Sequence, residues 1–467
     1  MTENKRFYKR LLILTLPIVI QNLITTSLNM LDTLMIGNLG EVQLAAVGVA
    51  NQFYFLYSLL VMGIGAGCSI LIAQLWGKKD EEKIHSVLKL GLIGAIGFAL
   101  VFMIIGFFAS ETIIGLFNSD TEVIRLGSDY LRISIFSYFV SALSFVYAGA
   151  LRSIGNSALP MWGSLVGLVI NGVLNAILIF GLLGAPALGV SGAAIATLIA
   201  RIVECLIILT VVTLKVKPLR LSSKDFKHIE IPMVKLLYQT ALPVVLNEAC
   251  WGLANITYTM IYGHIGVNAI ATTQITSTII NLFTIVIFGM AHASVVIIGN
   301  EIGANREEEG ITYAKKIIRL AVVVGIIMAI TLAVLAPFIV QVYNVSEMVR
   351  NDAMKILMIY AIFMLPRVYN GVQIVGILRG GGDAKYGSIA QGLSMWLVGI
   401  PLAFIAAYVF KWSISSVIFL STFEEVLRFF ILRRRFKSNK WINNMVKDMA
   451  QKRIITKIAC QRHNFPL

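Results

Sequence analysis

The chain has 467 residues, of which 58% are hydrophobic and 13% charged, and its mean hydropathy is +0.83. A water-soluble chain carries about 25% charged residues, and a soluble core accounts for one long apolar block, not a dozen, so a soluble fold is excluded. The net charge of +15 does not mark a nucleic-acid binder, because Lys and Arg fall between apolar blocks and at the C-terminus, where the orienting charges of a membrane protein lie.

The apolar blocks predict twelve spanning helices at residues 9–36, 44–74, 85–109, 126–151, 157–182, 188–214, 234–262, 268–299, 313–340, 350–378, 386–410 and 412–433. The first follows Lys5-Arg6 and Lys9-Arg10 and runs to about Ile36, too long for a signal-peptide core. Basic residues follow the even spans: Lys78, Lys79 and Lys83; Arg152; Lys215, Lys217, Arg220, Lys224 and Lys227; Arg306, Lys315 and Lys316; Arg379 and Lys385; and Arg433 to Arg435. The loops 37–43 and 182–188 hold no Lys or Arg. Positive loops face the cytoplasm, so both termini are expected inside.

Residue spacing reveals an internal repeat. Pro17, Asn29, Thr33, Gly37, Gly40, Ala45, Gly63 and Gly77 recur as Pro243, Asn255, Thr259, Gly263, Gly266, Ala271, Gly289 and Gly303, always 226 positions on. Gly149-Ala150-Leu151-Arg152 is matched by Gly376-Ile377-Leu378-Arg379. The expected fold is therefore an all-α polytopic membrane protein with twelve transmembrane helices in two pseudo-symmetric six-helix bundles. An even number of spans per repeat gives both copies one orientation, the arrangement of transporters that rock about a site near the bilayer midplane. The expected organisation is an N-lobe at 1–214, a cytoplasmic linker at 215–232, a C-lobe at 233–436 and a basic tail at 437–467, solvated or lying on the anionic inner leaflet.

Ionisable and amide side chains within spans are costly and mark candidate sites. Asp32 reads either as a hydrated carboxylate near the helix end or as a desolvated carrier of a proton or cation. Asn171 and Asn175 share a helix face and, with Asp32 and Thr197, offer oxygen ligands; interhelical hydrogen bonding is the plainer role. Glu248, Asn370 and Gln373 are the candidates of the second half, with Arg367 expected to use carbonyls freed by a kink at Pro366. Gln21, Asn29, Asn255 and Tyr258 are expected to line a substrate cleft. Arg201/Glu204 and Glu425/Arg428, with signs exchanged between the halves, read mainly as self-neutralising i,i+3 pairs. Cys68, Cys205, Cys250 and Cys460 form no CxxC pair and the histidines no metal motif, so no metal or disulfide is expected. Gly380-Gly381-Gly382-Asp383 lacks the P-loop ending and reads as a tight turn.

Taken together, Leu16-Pro17-Ile18-Val19-Ile20-Gln21-Asn22 through Asp32-Thr33 to Gly37-Asn38-Leu39-Gly40, Leu44-Ala45-Ala46, Ala73-Gln74-Leu75-Trp76-Gly77, Gly149 to Asn156 and Leu378 to Asp383 resemble the multidrug and toxic compound extrusion (MATE) family, over residues 9–436. The resemblance implies export of organic cations in exchange for protons or sodium across the bacterial inner membrane, by a monomer with no other cofactor and no nucleic-acid partner. It matches Asp32 to the family's coupling carboxylate in the first helix. The family's fifth-helix Asn-x-x-x-Asp reads Asn171 to Asn175 here, one carboxylate fewer, which favours protons. Glu248 falls about one turn before the seventh-helix Glu of some branches, and Asn370 stands at their tenth-helix Asp. A flippase for lipid-linked precursors is the alternative; a membrane enzyme would need an acid–base or metal constellation that the sequence lacks.

Overall fold

The computed structural model describes residues 3–222, 230–343 and 345–447. Part of the expected linker, with Lys224 and Lys227, and the tail from 448, with Cys460, lie outside the described residues. Among the described residues the chain is helical and contains no strand. That is the outcome an apolar solvent imposes, since a helix satisfies its backbone N–H and C=O groups within itself.

The first half runs α1 (Glu3–Gly37), α2 (Glu41–Lys78), α3 (Glu81–Phe108), the short α4 (Ser110–Gly115), α5 (Thr121–Ser134), α6 (Phe136–Ser153), α7 (Ala158–Phe180) and α8 (Gly189–Lys215). The second half runs α9 (Ile231–Ile265), α10 (Val267–Gly303), α11 (Glu307–Gln341), α12 (Glu347–Ile362), α13 (Met364–Gly371), α14 (Ala384–Ser394), α15 (Ile400–Phe404), α16 (Ile414–Thr422) and α17 (Glu424–Lys437). Wider π turns at Val372–Leu378, Met395–Gly399 and Ile405–Val409 continue α13, α14 and α15. Eight helices are long and apolar enough to cross a bilayer singly, and two more spans are bent pairs. The remaining two spans are α9, which carries Asn247, Glu248 and Asn255, and α16 with α17, which carry Glu424, Glu425 and Arg428.

The spans expected at 126–151 and 350–378, the second with a kink at Pro366, are both bent pairs, and the bends repeat. The α5–α6 pair turns by 48° and the α12–α13 pair by 56°. Asp120 caps α5 by accepting from the Glu122 and Val123 amides, and Ser346, 226 residues on, caps α12 by accepting from the Val349 amide. The second break falls at Phe363, not at Pro366. Pro366 lies in the first turn of α13, where a missing N–H deprives no carbonyl.

Contacts divide the described residues into two compact units, one within Leu12–Ser69 and Glu82–Ala249, the other within Met1–Leu11, Ile70–Glu81 and Cys250–Leu467. The C-terminal ends of α2 and α10 both lie in the second unit and touch reciprocally. A Cβ on Gly77 would overlap the Asn300 carbonyl oxygen, and one on Gly303 would overlap that of Gln74. Gln74 and Asn300 are themselves 226 residues apart. Residue i of one copy meets residue j of the other, and j meets i, the signature of a two-fold contact.

The residues after α17 fold back onto the same ends. Trp441 is fully buried and stacks on Phe436 with centroids 5.7 Å apart. The Asn443 amide donates to the Gly381 carbonyl at 2.7 Å, Gln74 Nε2 donates to the Asn443 carbonyl at 3.1 Å, and Gln74 Oε1 accepts from the Met445 amide at 3.1 Å. Asn444 Nδ2 donates to the Ile302 carbonyl at 2.8 Å. The glycine triplet is thus more than a turn: side chains on Gly381 and Gly382 would strike Trp441 and the Asn443 carbonyl. So the first residues of the expected tail, through Lys447, pack into the bundle. Trp441→Ala should cost ~3–5 kcal/mol by leaving a cavity, read as a lower thermal midpoint of the detergent-solubilised protein, whereas Lys440→Ala, at an exposed position, should stay within ~0.5 kcal/mol.

Candidate functional site

In the first unit three helices bring polar stripes together. A helix advances 3.6 residues per turn, so Gln21 and Asp32 lie on one face of α1, Ser164, Asn171 and Asn175 on one face of α7, and Thr197, Arg201 and Glu204 on one face of α8. These faces meet. Asn175 Nδ2 donates to Asp32 Oδ1 and, at 3.1 Å, to Asn171 Oδ1; Asn171 Nδ2 donates to Thr197 Oγ1 at 3.3 Å. Asp32, Asn171, Asn175 and Thr197 therefore form one connected group. Both asparagines are fully buried, Asp32 is half-buried, and Asn175 Oδ1 has no hydrogen-bond partner among the described residues.

A second chain lies alongside. Arg201 donates to Glu204 Oε2 at 2.9 Å, and Ser164 Oγ donates to Glu204 Oε1 at 2.6 Å. Gln21 Nε2 donates to Ser164 Oγ and Arg152 to Gln21 Oε1, both at 3.1 Å. The expected pair Arg201/Glu204 forms, but inside a five-residue network whose Ser164 the sequence had not singled out and whose Arg152 it read only as an orienting charge and a repeat position. Arg201 also lies within electrostatic reach of Asp32. Phe53, Tyr54, Tyr57, Phe102 and Tyr138 pack as an aromatic cluster in this unit, with Tyr57 and Tyr138 stacked at 4.5 Å.

The second unit holds another buried group. Arg428 donates through three different nitrogens, to Glu424 Oε1 at 2.9 Å, to Glu425 Oε2 at 3.3 Å and to Ser394 Oγ at 2.7 Å. Asn370 Nδ2 donates to Glu425 Oε2 at 2.7 Å, and Tyr258 Oη donates to Glu424 Oε2 at 3.5 Å. Gln373 Nε2 donates to Tyr369 Oη at 3.1 Å. The side-chain oxygens of Asn370 and Gln373 are buried without a hydrogen-bond partner among the described residues. Arg367 sits over the Tyr360 ring at 5.3 Å.

Glu248 is half-buried and falls in the first unit, whereas Asn370 and Gln373 fall in the second. Asn29 and Asn255 are exposed, and Asn255 Nδ2 turns back to the Trp251 carbonyl at 2.8 Å. Glu424 and Ser394 escaped the sequence reading; the signal available for Glu424 was its place one residue before the Glu425/Arg428 pair. Among the described residues no group of three or more His, Cys, Asp or Glu is arranged to hold a metal.

A many-spanned helical bundle with buried charged networks in both units is the build of a membrane transporter. The MatE family model matches residues 17–177 and again 243–405, so both halves carry it and the chain belongs to the MatE family of multidrug efflux transporters, which are not enzymes. It is 24% identical over 439 residues to an uncharacterized transporter, YisQ, of Bacillus subtilis, covering 94% of this chain and 95% of that one. It is 26% identical over 450 residues to the probable multidrug resistance protein NorM of Bacillus cereus, covering 93% and 98%. A solved MATE structure in complex with MaL6 superposes with a TM-score of 0.83 at 22% identity, over 94% of this chain and 100% of that one, which bears out the twelve-helix, two-bundle fold.

Ser164→Ala takes one donor from Glu204 and the acceptor from Gln21, both within the buried network. The expected loss is ~1–3 kcal/mol, seen as a lower midpoint on denaturation in detergent, with Thr213→Ala on the exposed face of α8 as the unchanged control.

Proposed function

We propose that the chain exports organic cations across the bacterial inner membrane by alternating access, in exchange for protons or sodium ions entering, with Asp32 as the coupling carboxylate. The observation that carries this reading is the partner of Asp32. Its direct hydrogen bond comes from a neutral amide, Asn175, while the nearby Arg201 is committed to Glu204. A carboxylate with a guanidinium to itself stays ionised; one held by an amide can lose its charge without breaking an ion pair. Asn171, Asn175 and Thr197 would then follow the charge state of Asp32, and the unpartnered Asn175 oxygen is an acceptor for a protonated carboxyl or a bound cation.

The ring of Tyr54, half-buried beside the fully buried Tyr57 and Tyr138, suits an organic cation, and Gln21, Asn29 and Asn255 are the polar side chains proposed to meet it. The family relationship and the name of the relative NorM support a drug-like substrate. On this reading the lobes at 1–214 and 233–436 are the working halves of a monomer, joined by 215–232. Both termini are cytoplasmic, and neither a further cofactor nor nucleic acid takes part. One proton moved down 100 mV supplies ~2.3 kcal/mol, enough to sustain roughly a 40-fold gradient of a neutral compound; for a singly charged cation exchanged one for one the voltage cancels, and the ion's concentration difference drives export.

Everted membrane vesicles test the proposal with ethidium as the probe and proton and sodium gradients imposed separately. Uptake is expected under one of the two gradients and should fall at least tenfold in Asp32→Asn, with ethidium binding to the purified variant within threefold of wild type. Uptake that survives in Asp32→Asn, or that needs a lipid-linked precursor in place of the dye, would count against this reading.

A further inference from the structure

We propose that Glu424 is a second proton-exchanging carboxylate, which serves the C-terminal half as Asp32 serves the N-terminal half. The inference rests on the proton-coupled form of the function proposed above and adds a residue to it.

The repeat locates the correspondence. Asn29 and Thr33 recur at Asn255 and Thr259, so the position matching Asp32 is Tyr258. A tyrosine there leaves the second half without a carboxylate at the position matching Asp32; Glu248, the acid of α9, lies ten residues earlier. The structure supplies one from another helix: the Tyr258 hydroxyl lies 3.5 Å from Glu424 Oε2. The missing acid has moved to α17, and the residue standing in its old place points at it. Gly399 leaves the space, since a Cβ there would overlap Glu424 Oε2.

The charge inventory also matches. In the first half Asp32 and Glu204 are accompanied by Arg201, and Ser164 bonds the residue at the fourth position of the Arg201–Glu204 pair. In the second half Glu424 and Glu425 are accompanied by Arg428, and Ser394 again bonds the fourth position, here Arg428. Each site thus holds two carboxylates against the one guanidinium of its sixth helix; in the second half Arg367 of α13 adds a further positive charge nearby. Glu425 is secured by Arg428 and by Asn370. Glu424 has one firm bond, to Arg428, and a long one to Tyr258, so its Oε2 is the place for an added proton. Further groups facing it are Arg367 of α13, held over Tyr360 of α12, and Tyr262 of α9. The two neighbouring acids share the one guanidinium of Arg428, the arrangement in which one of a pair of carboxylates takes up a proton. A proton arriving from water forms an O–H bond at Glu424 Oε2, and its departure to water restores the carboxylate.

The test uses the full-length protein in proteoliposomes and reads protons moved per ethidium, together with the pH profile of the initial rate. Glu424→Gln should lower the number of protons moved per ethidium from about two to about one and flatten one limb of the pH profile. Ethidium binding should stay within threefold, and Glu424→Asp should recover the wild-type stoichiometry. Tyr258→Phe, which removes no carboxylate, should keep the stoichiometry and shift the pH profile, so the proposal remains testable if Glu424→Gln folds poorly. A Glu424→Gln protein with wild-type stoichiometry and pH profile, beside an Asp32→Asn protein that has lost coupling, overturns the second site alone. A wild-type protein that moves ethidium without protons overturns the proton-coupled reading, and this inference with it.

Discussion

In each half, one guanidinium on the sixth spanning helix, buried at Arg428 and half-buried at Arg201, sets the charge balance on which the polar site depends. Arg201 and Arg428 lie where a lone charge is costly, and each is made tolerable by carboxylates within hydrogen-bond reach. Removing either would leave its acids buried without a counter-charge, which costs far more than the pair contributes. The choice of arginine follows from shape. Arg428 uses three nitrogens in one plane to reach Glu424, Glu425 and Ser394 separately, which an ammonium on a flexible stem does not reproduce.

What the sequence made legible was whatever depends on periodicity. Apolar run lengths gave the spans, a constant interval gave the repeat, and the i,i+4 spacing of Asn171 and Asn175 placed them on one face with Asp32 and Thr197 as neighbours. Contacts that depend on how two helices are rotated against each other were not legible. A serine in an apolar helix bonds its own backbone as readily as a partner, so Ser164 and Ser394 carried no signal. The break at Phe363 has no proline or glycine at it, and the nearby Pro366 pointed to the wrong turn. The docking of Trp441 was hidden because a short polar segment has no period to read; only the glycine triplet that receives it stood out.

The two halves keep a common plan while exchanging its parts. The caps at Asp120 and Ser346 and the bends that follow them recur, whereas Asp32 has no acid at the matching position 258, and the order of acid and base on the sixth helix is reversed. The π turns among the described residues all lie in the second half. Two of the three fall beside Asn370 and Ser394, two of the side chains that hold its charged group, in keeping with the frequent placement of such turns at functional sites.

The mutual approach of Gly77 and Gly303 has a consequence for how the two copies could diverge after the gene was doubled. Each position is hemmed in by main chain belonging to the other copy, so a methyl group gained by one is refused by its twin however the surrounding side chains adjust. Elsewhere a change in one copy can be answered by a change in its neighbours. At this crossing the two copies still share a single spelling, and neither can be rewritten alone.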